Sequence, residues 1–453
     1  MYKYIKNPIN NKKVNIHSKL GKNILKQYLN LIMGGTDPNE NDDVPVNFNS
    51  LNNDTIRIAV HKYRINRDSC PPIETWNVSR VTDMSGLFEN FFDFNGNITN
   101  WNTSSVTNMS KMFSGADGFN QPLEWNTGNV ENMSEMFSNA ESFNQPLEFN
   151  REPWDTGNVT DMSLMFAGVM GFNQPLEWNT GNVRNMSEMF SNAESFNQPL
   201  EFNGEPWDTG NVTDMSQMFE HAHSFNQPLE WNTGNVTDMS QMFFSATSFN
   251  KPLHWDTRNV TYMNGMFSDA NSFNERLNFD TENVTNMKGM FELAESFNQP
   301  LEFNEEPWDT GNVTDMSFMF CKATSFNQPI EWDTSNVTNM LAMFSEATNF
   351  NQPLNFKDTS KVENMSYMFD RATSFNKSLE LDTSNVTNMS AMFSEATNFN
   401  QPLNFTDTSK VENMSYMFHE ATSFNQPLEW DTTNVSVIDM FKNSQGRLIS
   451  HRT

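Results

Sequence analysis

The chain has 453 residues, with 28 Lys+Arg against 56 Asp+Glu, a formal charge of −28 and 36% hydrophobic residues. Only 2 Cys and 7 His stand beside 31 Met and 40 Phe. That scarcity excludes a disulfide framework, an iron–sulfur protein and a zinc-ribbon array, and no run approaches the ~18 apolar residues that a membrane span requires.

In chain order, residues 1–35 come first as a basic arm. They hold seven lysines (Lys3, Lys6, Lys12, Lys13, Lys19, Lys22 and Lys26) and no acid, so the arm carries +7. The remainder, 21 basic against 56 acidic residues, carries −35. Such asymmetry marks a tether that would contact an acidic protein, nucleic acid or a membrane surface. Leu20, Ile24, Leu25, Tyr28, Leu29 and Ile32 fit one face of a short amphipathic helix. Lys26, Gln27 and Asn30 interrupt its apolar stretch and no small-residue cleavage site follows, so it does not read as a secretory signal. Gly34-Gly35 stops the helix, a polar linker covers 36–53, and 54–75 form an N-terminal cap whose helix carries Ile56, Ala59, Val60 and Tyr63. Repeats then occupy 76–441, and 442–453 are a C-terminal tail.

The body is one unit written many times. The string Val-Thr-x-Met-Ser-x-Met-Phe recurs from Val81 to Val435 in steps of 24 (eight), 25 (three) and 29 (three) residues. With Val as position zero, Met stands at +3 in fourteen units and at +6 in thirteen, and Phe at +7 and +13 in fourteen. The composition anomaly is therefore a core written in register. In one unit, Val159, Met162, Met165, Phe166 and Val169 fall on one stripe of a short helix, with Asn158 as its N-cap. Gln174-Pro175 breaks that helix, and Leu176-Glu177-Trp178 alternates in and out as a very short strand. No unit can bury its stripe alone, so copies must stack. The expected fold is an α/β repeat: a solenoid of about fifteen 24–29-residue coils, with short parallel strands on one face and short helices on the other. A recurring Asn at +14, from Asn95 to Asn425, is expected as a buried corner ladder bonding neighbouring backbone.

The strings Trp76–Phe88 (WNVSRVTDMSGLF) and Phe225–Phe243 (FNQPLEWNTGNVTDMSQMF) resemble the BspA-like leucine-rich-repeat surface proteins, a Mycoplasma-lipoprotein-type repeat of unknown function. The resemblance covers roughly 54–441, and the entry segment Asn53 to Trp76 looks like that family's N-terminal cap. It implies a right-handed leucine-rich-repeat-like solenoid used in adhesion and partner binding. The chain departs from the bacterial pattern in lacking an export signal and a lipid-acceptor Cys. The arm from Asn7-Pro8 to Leu25 is similar to N-terminal segments of large-DNA-virus proteins. Together these features point to synthesis in the cytosol, with a virion as one destination.

Function must then sit on the surface. The outward residue of each short strand makes a column: Glu124, Glu148, Glu177, Glu201, Glu230, His254, Asn278, Glu302, Glu331, Asn355, Glu380, Asn404 and Glu429. Adjacent carboxylates repel, so the column either costs stability or binds something positive. Glu124, Glu148, Glu177, Glu201, Glu230, His254, Glu302 and Glu331 are the partner-binding candidates, for a basic protein or cations. The competing reading is a solvated face shaped by repeat copying. Nucleic acid is not expected on this acidic body. Three units carry five extra residues, Phe149–Pro153, Phe202–Pro206 and Phe303–Pro307, which read as protruding loops on the binding face or as one duplicated accident. No phosphate-cradling glycine loop, nucleophile elbow or metal-spaced His cluster occurs. No cofactor is expected, and the chain reads as a non-enzymatic interaction scaffold or a purely structural component.

Overall fold

The computed structural model describes residues 45–405 and 407–449, and the backbones of β1 (Tyr4–Lys6) and β2 (Lys13–Asn15). The chain divides into two compact units, Met1–Val81 and Thr82–Thr453.

In the first unit β1 and β2 pair antiparallel, with Lys6 opposite Lys13. The amphipathic helix expected between Leu20 and Ile32 lies outside the described residues. The helix expected after the linker is present as α1 (Asn53–Ile65) and buries Ile56, Ala59 and Val60. Its start is fixed by a reciprocal cap. Asn52 Oδ1 accepts from the Thr55 amide at 3.0 Å, and the Asn52 amide donates to Thr55 Oγ1 at 2.9 Å. Two 3-10 turns, Arg67–Ser69 and Ile73–Thr75, lead to the buried Trp76, whose ring meets Phe48 at 5.0 Å and Tyr63 at 5.8 Å.

The second unit is built from the repeats, and its Met–Phe segments are not helices. Each is a chain of tight turns whose alternate amides leave the coil. In the unit beginning at Val106, the amides of Met109, Lys111, Phe113 and Gly115 donate to Asn132, Ser134, Met136 and Ser138 of the following coil at 2.7–3.0 Å. The intervening amides of Met112, Ser114 and Ala116 bond back three residues, to Met109, Lys111 and Phe113, at 2.9–3.2 Å. A helix would spend every interior amide within itself. Here half of them tie one coil to the next, and the segment's buried polar groups are satisfied without a helix.

This pattern forces a left-handed backbone at +5 and +9 of the first fourteen units, and one position earlier in the last. Lys111 and Gly115 have φ of 58° and 65°, Leu164 and Gly168 have 54° and 73°, and Tyr367 and Arg371 have 58° and 55°. Turns repeating every four residues place +3, +7 and +6, +10 inward, which mimics helical spacing. That coincidence is why the stripe reads as a helix in the sequence. Asn158 is correspondingly not a helix cap: its Nδ2 donates 2.7 Å to the Gly128 carbonyl of the preceding coil.

Stacked coils bury the columns completely. Met109, Met112, Phe113 and Phe119 have no exposure, and the same holds for their equivalents in the later units to Phe424. Phe113 and Phe119 lie 4.1 Å apart within a coil, and each stacks on its successor, Phe137 at 5.5 Å and Phe143 at 5.9 Å. Each such ring contributes about 1.5–3 kcal/mol by burial, and aromatic pairing adds about 0.5–1.5 kcal/mol. Buried threonines make a further ladder, Thr103 Oγ1 donating to Asn126 O at 2.9 Å and Thr127 Oγ1 to Asp155 O at 2.8 Å.

A run of parallel bridges links every unit to the next, from Asp83↔Asn108 to Asn413↔Ser436. The strands on the other face are shorter and less continuous than expected. Parallel pairs are β3 (Leu123–Glu124) with β4 (Leu147–Phe149), β8 (Leu277–Asn278) with β9 (Leu301–Phe303), and β11 (Ile330–Trp332) with β12 (Leu354–Phe356). The +14 ladder exists, with the Asn120 amide donating 3.1 Å to Asn95 Oδ1 and Asn144 repeating the bond on Asn120 at 3.0 Å. Its asparagines are exposed or half-buried rather than buried. Arg447–Leu448 pairs in parallel with Pro427–Leu428, and a Cβ on Gly446 would come within 2.7 Å of the Phe424 and Phe441 rings.

Gly168 and Gly171 test the turn geometry. A Cβ on Gly168 (φ 73°) would lie 2.5 Å from Asn139 Oδ1, whereas one on Gly171 meets nothing within 4 Å. Gly168→Ala is expected to cost about 1–2 kcal/mol and Gly171→Ala almost nothing, read from urea midpoints. A helical segment would reverse that order, since Ala favours helix.

Candidate interaction surface

Where neighbouring strands pair, the column seen in the sequence is in register. Leu123 and Leu147 pair, which places Glu124 directly opposite Glu148; Asn278 faces Glu302 and Glu331 faces Asn355. Alternation in these strands sends Leu inward and the acid outward, so all the column's members except the half-buried Glu302 are exposed.

Charge is not balanced evenly along it. Glu230 meets His254 Nδ1 at 3.5 Å, Arg276 Nη2 lies 2.7 Å from Glu302, and Asn355 Nδ2 donates 3.0 Å to Glu331. Among the described residues no cation pairs with Glu124, Glu148, Glu177 or Glu201. The column therefore has an unneutralised stretch followed by a partly neutralised one. Asn274-Glu275-Arg276-Leu277, where most other units have Asn-Gln-Pro-Leu, signals that difference in the sequence. Composition alone does not.

The three insertions are β-hairpins that grow from this column. β4 (Leu147–Phe149) pairs antiparallel with β5 (Glu152–Pro153), β6 (Glu201–Phe202) with β7 (Glu205–Pro206), and β9 with β10 (Glu306–Pro307). Their two-residue turns have positive φ at both positions: Asn150 55° and Arg151 69°, Asn203 54° and Gly204 77°, Asn304 51° and Glu305 70°. This is the primed turn that matches strand twist, and Asn at its first position tolerates it. The hairpins leave the core intact because Trp154 takes the inward place, stacking 6.3 Å from Trp125.

Two hairpins flank the Glu177 coil, which has none. Between them lies a cleft of about 280 Å³ lined by Glu152, Pro153, Trp154, Asp155, Thr156, Glu177, Asn179, Phe202 and Asn203. Its charged groups are all acidic. Phe202, 37% exposed, supplies an aromatic wall. A larger groove of about 590 Å³ lies on the turn side of the last coils, with Thr324, Thr348, Thr373, Thr397 and Thr422 along it. Its carboxylates already hold a cation, since Arg371 lies 2.9 Å from Glu395 and 3.8 Å from Glu346.

Of the tether lysines, Lys6 and Lys13 fall on β1 and β2; Lys3, Lys12, Lys19, Lys22 and Lys26 lie outside the described residues. His223 Nδ1 sits 2.9 Å from the Ser245 carbonyl. Among the described residues no group of three or more His, Cys, Asp or Glu could hold a metal ion, and no helix is long and apolar enough to cross a membrane.

Titration on the turn face follows burial. Desolvation holds Glu188, Asp117, Glu292 and Asp370 above the ordinary carboxylate range, with Glu220 adding repulsion at Glu188 and Glu141 at Asp117. The opposite case is Asp333, drawn down to about 2 by its hydrogen bond from Lys357. Burial pushes the Cys321 thiol up to about 12, while Cys70 is half-exposed.

Two outcomes follow. A neutral-pH thiol reagent should label Cys70 alone in the folded chain and both cysteines in denaturant; rapid native labelling of Cys321 would contradict the packing. Carboxylates raised in the folded state bind more protons there than when unfolded, so stability falls as pH rises through their shifted values. The melting temperature is therefore expected to be higher just above the ordinary carboxylate range than at neutrality. The Asp333 contribution has the opposite sign and is lost only as pH falls toward about 2.

No curated protein matches the chain. Among solved structures, one described as the crystal structure of a TLR13–ssRNA13 complex is similar at 13% identity, covering 88% of this chain and 53% of that one, with a TM-score of 0.23. The chain thus spans about half the length of that structure. A family profile described as "Mycoplasma protein of unknown function, DUF285" matches residues 60–152, 148–230, 229–307, 302–381 and 358–448. Those five tandem matches run through almost the whole repeat region, and the chain belongs to the DUF285 family.

Proposed function

We propose that this protein is a non-enzymatic interaction scaffold whose acidic strand face binds a basic protein partner and whose N-terminal arm tethers it. In this reading residues 76–441 form a right-handed, leucine-rich-repeat-like solenoid of about fifteen coils, capped by 54–75, of the BspA-like surface and adhesion type. The supporting observation is the stretch Glu124, Glu148, Glu177 and Glu201. It is exposed, with Glu124 directly opposite Glu148, without a cationic partner among the described residues, and walled by two hairpins where the cleft opens. Repulsion within it is relieved when Lys or Arg side chains arrive, so binding should be fast and salt-sensitive.

A second reading, a structural component of a virion or cell surface, draws support from near-identical coils. Residues 343–369 and 392–418 differ only at Lys357 against Thr406, and continuous ring stacks suit a stiff rod. The two separate experimentally. Calorimetric titration of the full chain with a Lys/Arg-rich peptide should weaken at least tenfold in the triple variant Glu148→Gln, Glu177→Gln, Glu201→Gln. The equal charge change at Glu131, Glu363 and Glu412, which stand at the +1 position, should leave binding unchanged. Equal loss in both variants would reduce the effect to net charge, and no peptide binding would favour the structural reading. Deleting residues 1–35 should abolish tethering and leave peptide affinity intact.

A further inference from the structure

In five late coils of the second unit, position +5 alternates between aromatic and small residues: Phe318, Ala342, Tyr367, Ala391 and Tyr416. They occupy consecutive rungs, because each of the first four donates its amide, at 2.8–2.9 Å, to the carbonyl just before the next. Ala342 and Ala391 are buried, Phe318 is half-buried, and Tyr367 and Tyr416 are 45% and 43% exposed. The aromatics are thus the raised points of this column. All three hold φ of 58–62°, a conformation that glycine takes freely and bulky side chains rarely adopt. Gly86, Gly265 and Gly289 stand there in earlier coils. Neither tyrosine joins the buried ring stacks. Among the described residues their one ring contact is the edge of Tyr416 on His419, 5.8 Å away in the same coil. The near copies 343–369 and 392–418 lie two coils apart, which sets the spacing of the two tyrosines.

We propose that this ridge binds a proline-rich segment of another protein, in the polyproline II conformation and with a Lys or Arg at one end. Coils spaced by ~4.8 Å place every second rung about 9.6 Å apart. A polyproline II helix turns once in about 9.3 Å, so its successive turns meet successive rings, and two turns reach from Phe318 to Tyr416. An α-helix repeats every ~5.4 Å and one face of an extended strand every ~6.7 Å, and neither keeps step. Such a segment is already ordered before it binds, which suits a small aromatic surface. Charge fixes its basic end. Of the three acids at +9 in these coils, Glu346 and Glu395 share Arg371. Glu420, exposed and four residues beyond Tyr416, has only Asn443 at 3.3 Å and His419 at 4.0 Å, with no Lys or Arg among the described residues. A second copy would match the spacing too. However, three rings less than half exposed fall far short of the ~800 Å² per partner of a stable dimer, and the body's −35 charge opposes self-association.

The probe is a fluorescein-labelled peptide of nine prolines followed by one arginine, titrated into the full chain by fluorescence anisotropy. Tyr367→Gly and Tyr416→Gly should each weaken binding at least tenfold while the urea midpoint stays level or rises, because glycine suits the left-handed backbone. Leu164→Gly, at the same position of a distant coil, should leave binding unchanged. Glu420→Gln should erase the preference for this peptide over one ending in glutamine. The triple variant Glu148→Gln, Glu177→Gln, Glu201→Gln should bind it as the parent chain does, which separates this ridge from the acidic strand face. Absence of binding up to about millimolar peptide, or equal loss in Leu164→Gly, would overturn the proposal. Binding of a cello-oligosaccharide in place of the peptide, or self-association abolished by the two tyrosine variants, would overturn the choice of occupant.

Discussion

The structure of the repeat unit depends on one division of labour among backbone amides. In the turn segment, alternate N–H groups close tight turns within a coil and the others cross to the following coil. Neither set suffices alone. A coil without a neighbour would leave four donors and its whole Met–Phe stripe in water, forgoing both the ladder and the apolar burial that stabilise the stack. Stability therefore belongs to interfaces between coils, as in other one-dimensional repeat architectures. The same rule accounts for the left-handed residues at +5 and +9, since the chain must reverse tightly enough to return alternate amides to the axis direction. It also accounts for the side-chain columns, because coils locked in register stack like on like. Phe on Phe, Trp on Trp and Thr on carbonyl are consequences of that lock rather than its cause.

Much of this is legible in the sequence. The period, the identity of the buried columns, the cap-like helix after residue 52 and the outward acids follow from spacing alone, because burial in a stacked repeat demands the same residue at the same place. The local conformation of the Met–Phe segment does not follow. Turns repeating every four residues generate the spacing of a helix, and hydrophobic periodicity cannot separate the two. A subtler signal was available: Gly86, Gly115, Gly168, Gly265 and Gly289, with Asn90, Asn139 and Asn192, all fall at +5 or +9, where residues tolerant of positive φ recur. Their scatter among Lys, Glu, Tyr and Leu at the same positions hides it. The +14 asparagines were legible as a ladder but not as exposed ones, since a side chain can bond backbone across coils from the rim.

For the candidate surface, the sequence gives the column and the hairpin positions, and the structure adds contrast within the column. Arg276 partly neutralises its middle, where His254 also meets Glu230, while the stretch beside the first two hairpins has no counter-charge among the described residues. That contrast turns a uniform acidic face into a place. It also distinguishes the cleft at Glu177 from the larger groove near Arg371, where carboxylates and guanidinium already satisfy one another.

The most direct test of the interlocked-coil account is a register deletion. Removing residues 236–259, one complete 24-residue unit, joins Asn235 to Val260 and restores every column. The account predicts a folded chain with a single cooperative urea transition, slightly less stable, and slow hydrogen exchange preserved at Phe219 and Phe267. Removing only residues 236–247 should break the ladder there and expose the Phe219 amide, whose acceptor is Met242 in the deleted stretch. If both deletions unfold alike, or if the half-unit deletion is tolerated as well as the whole one, the claim that coil-to-coil amide pairing holds the structure together is wrong.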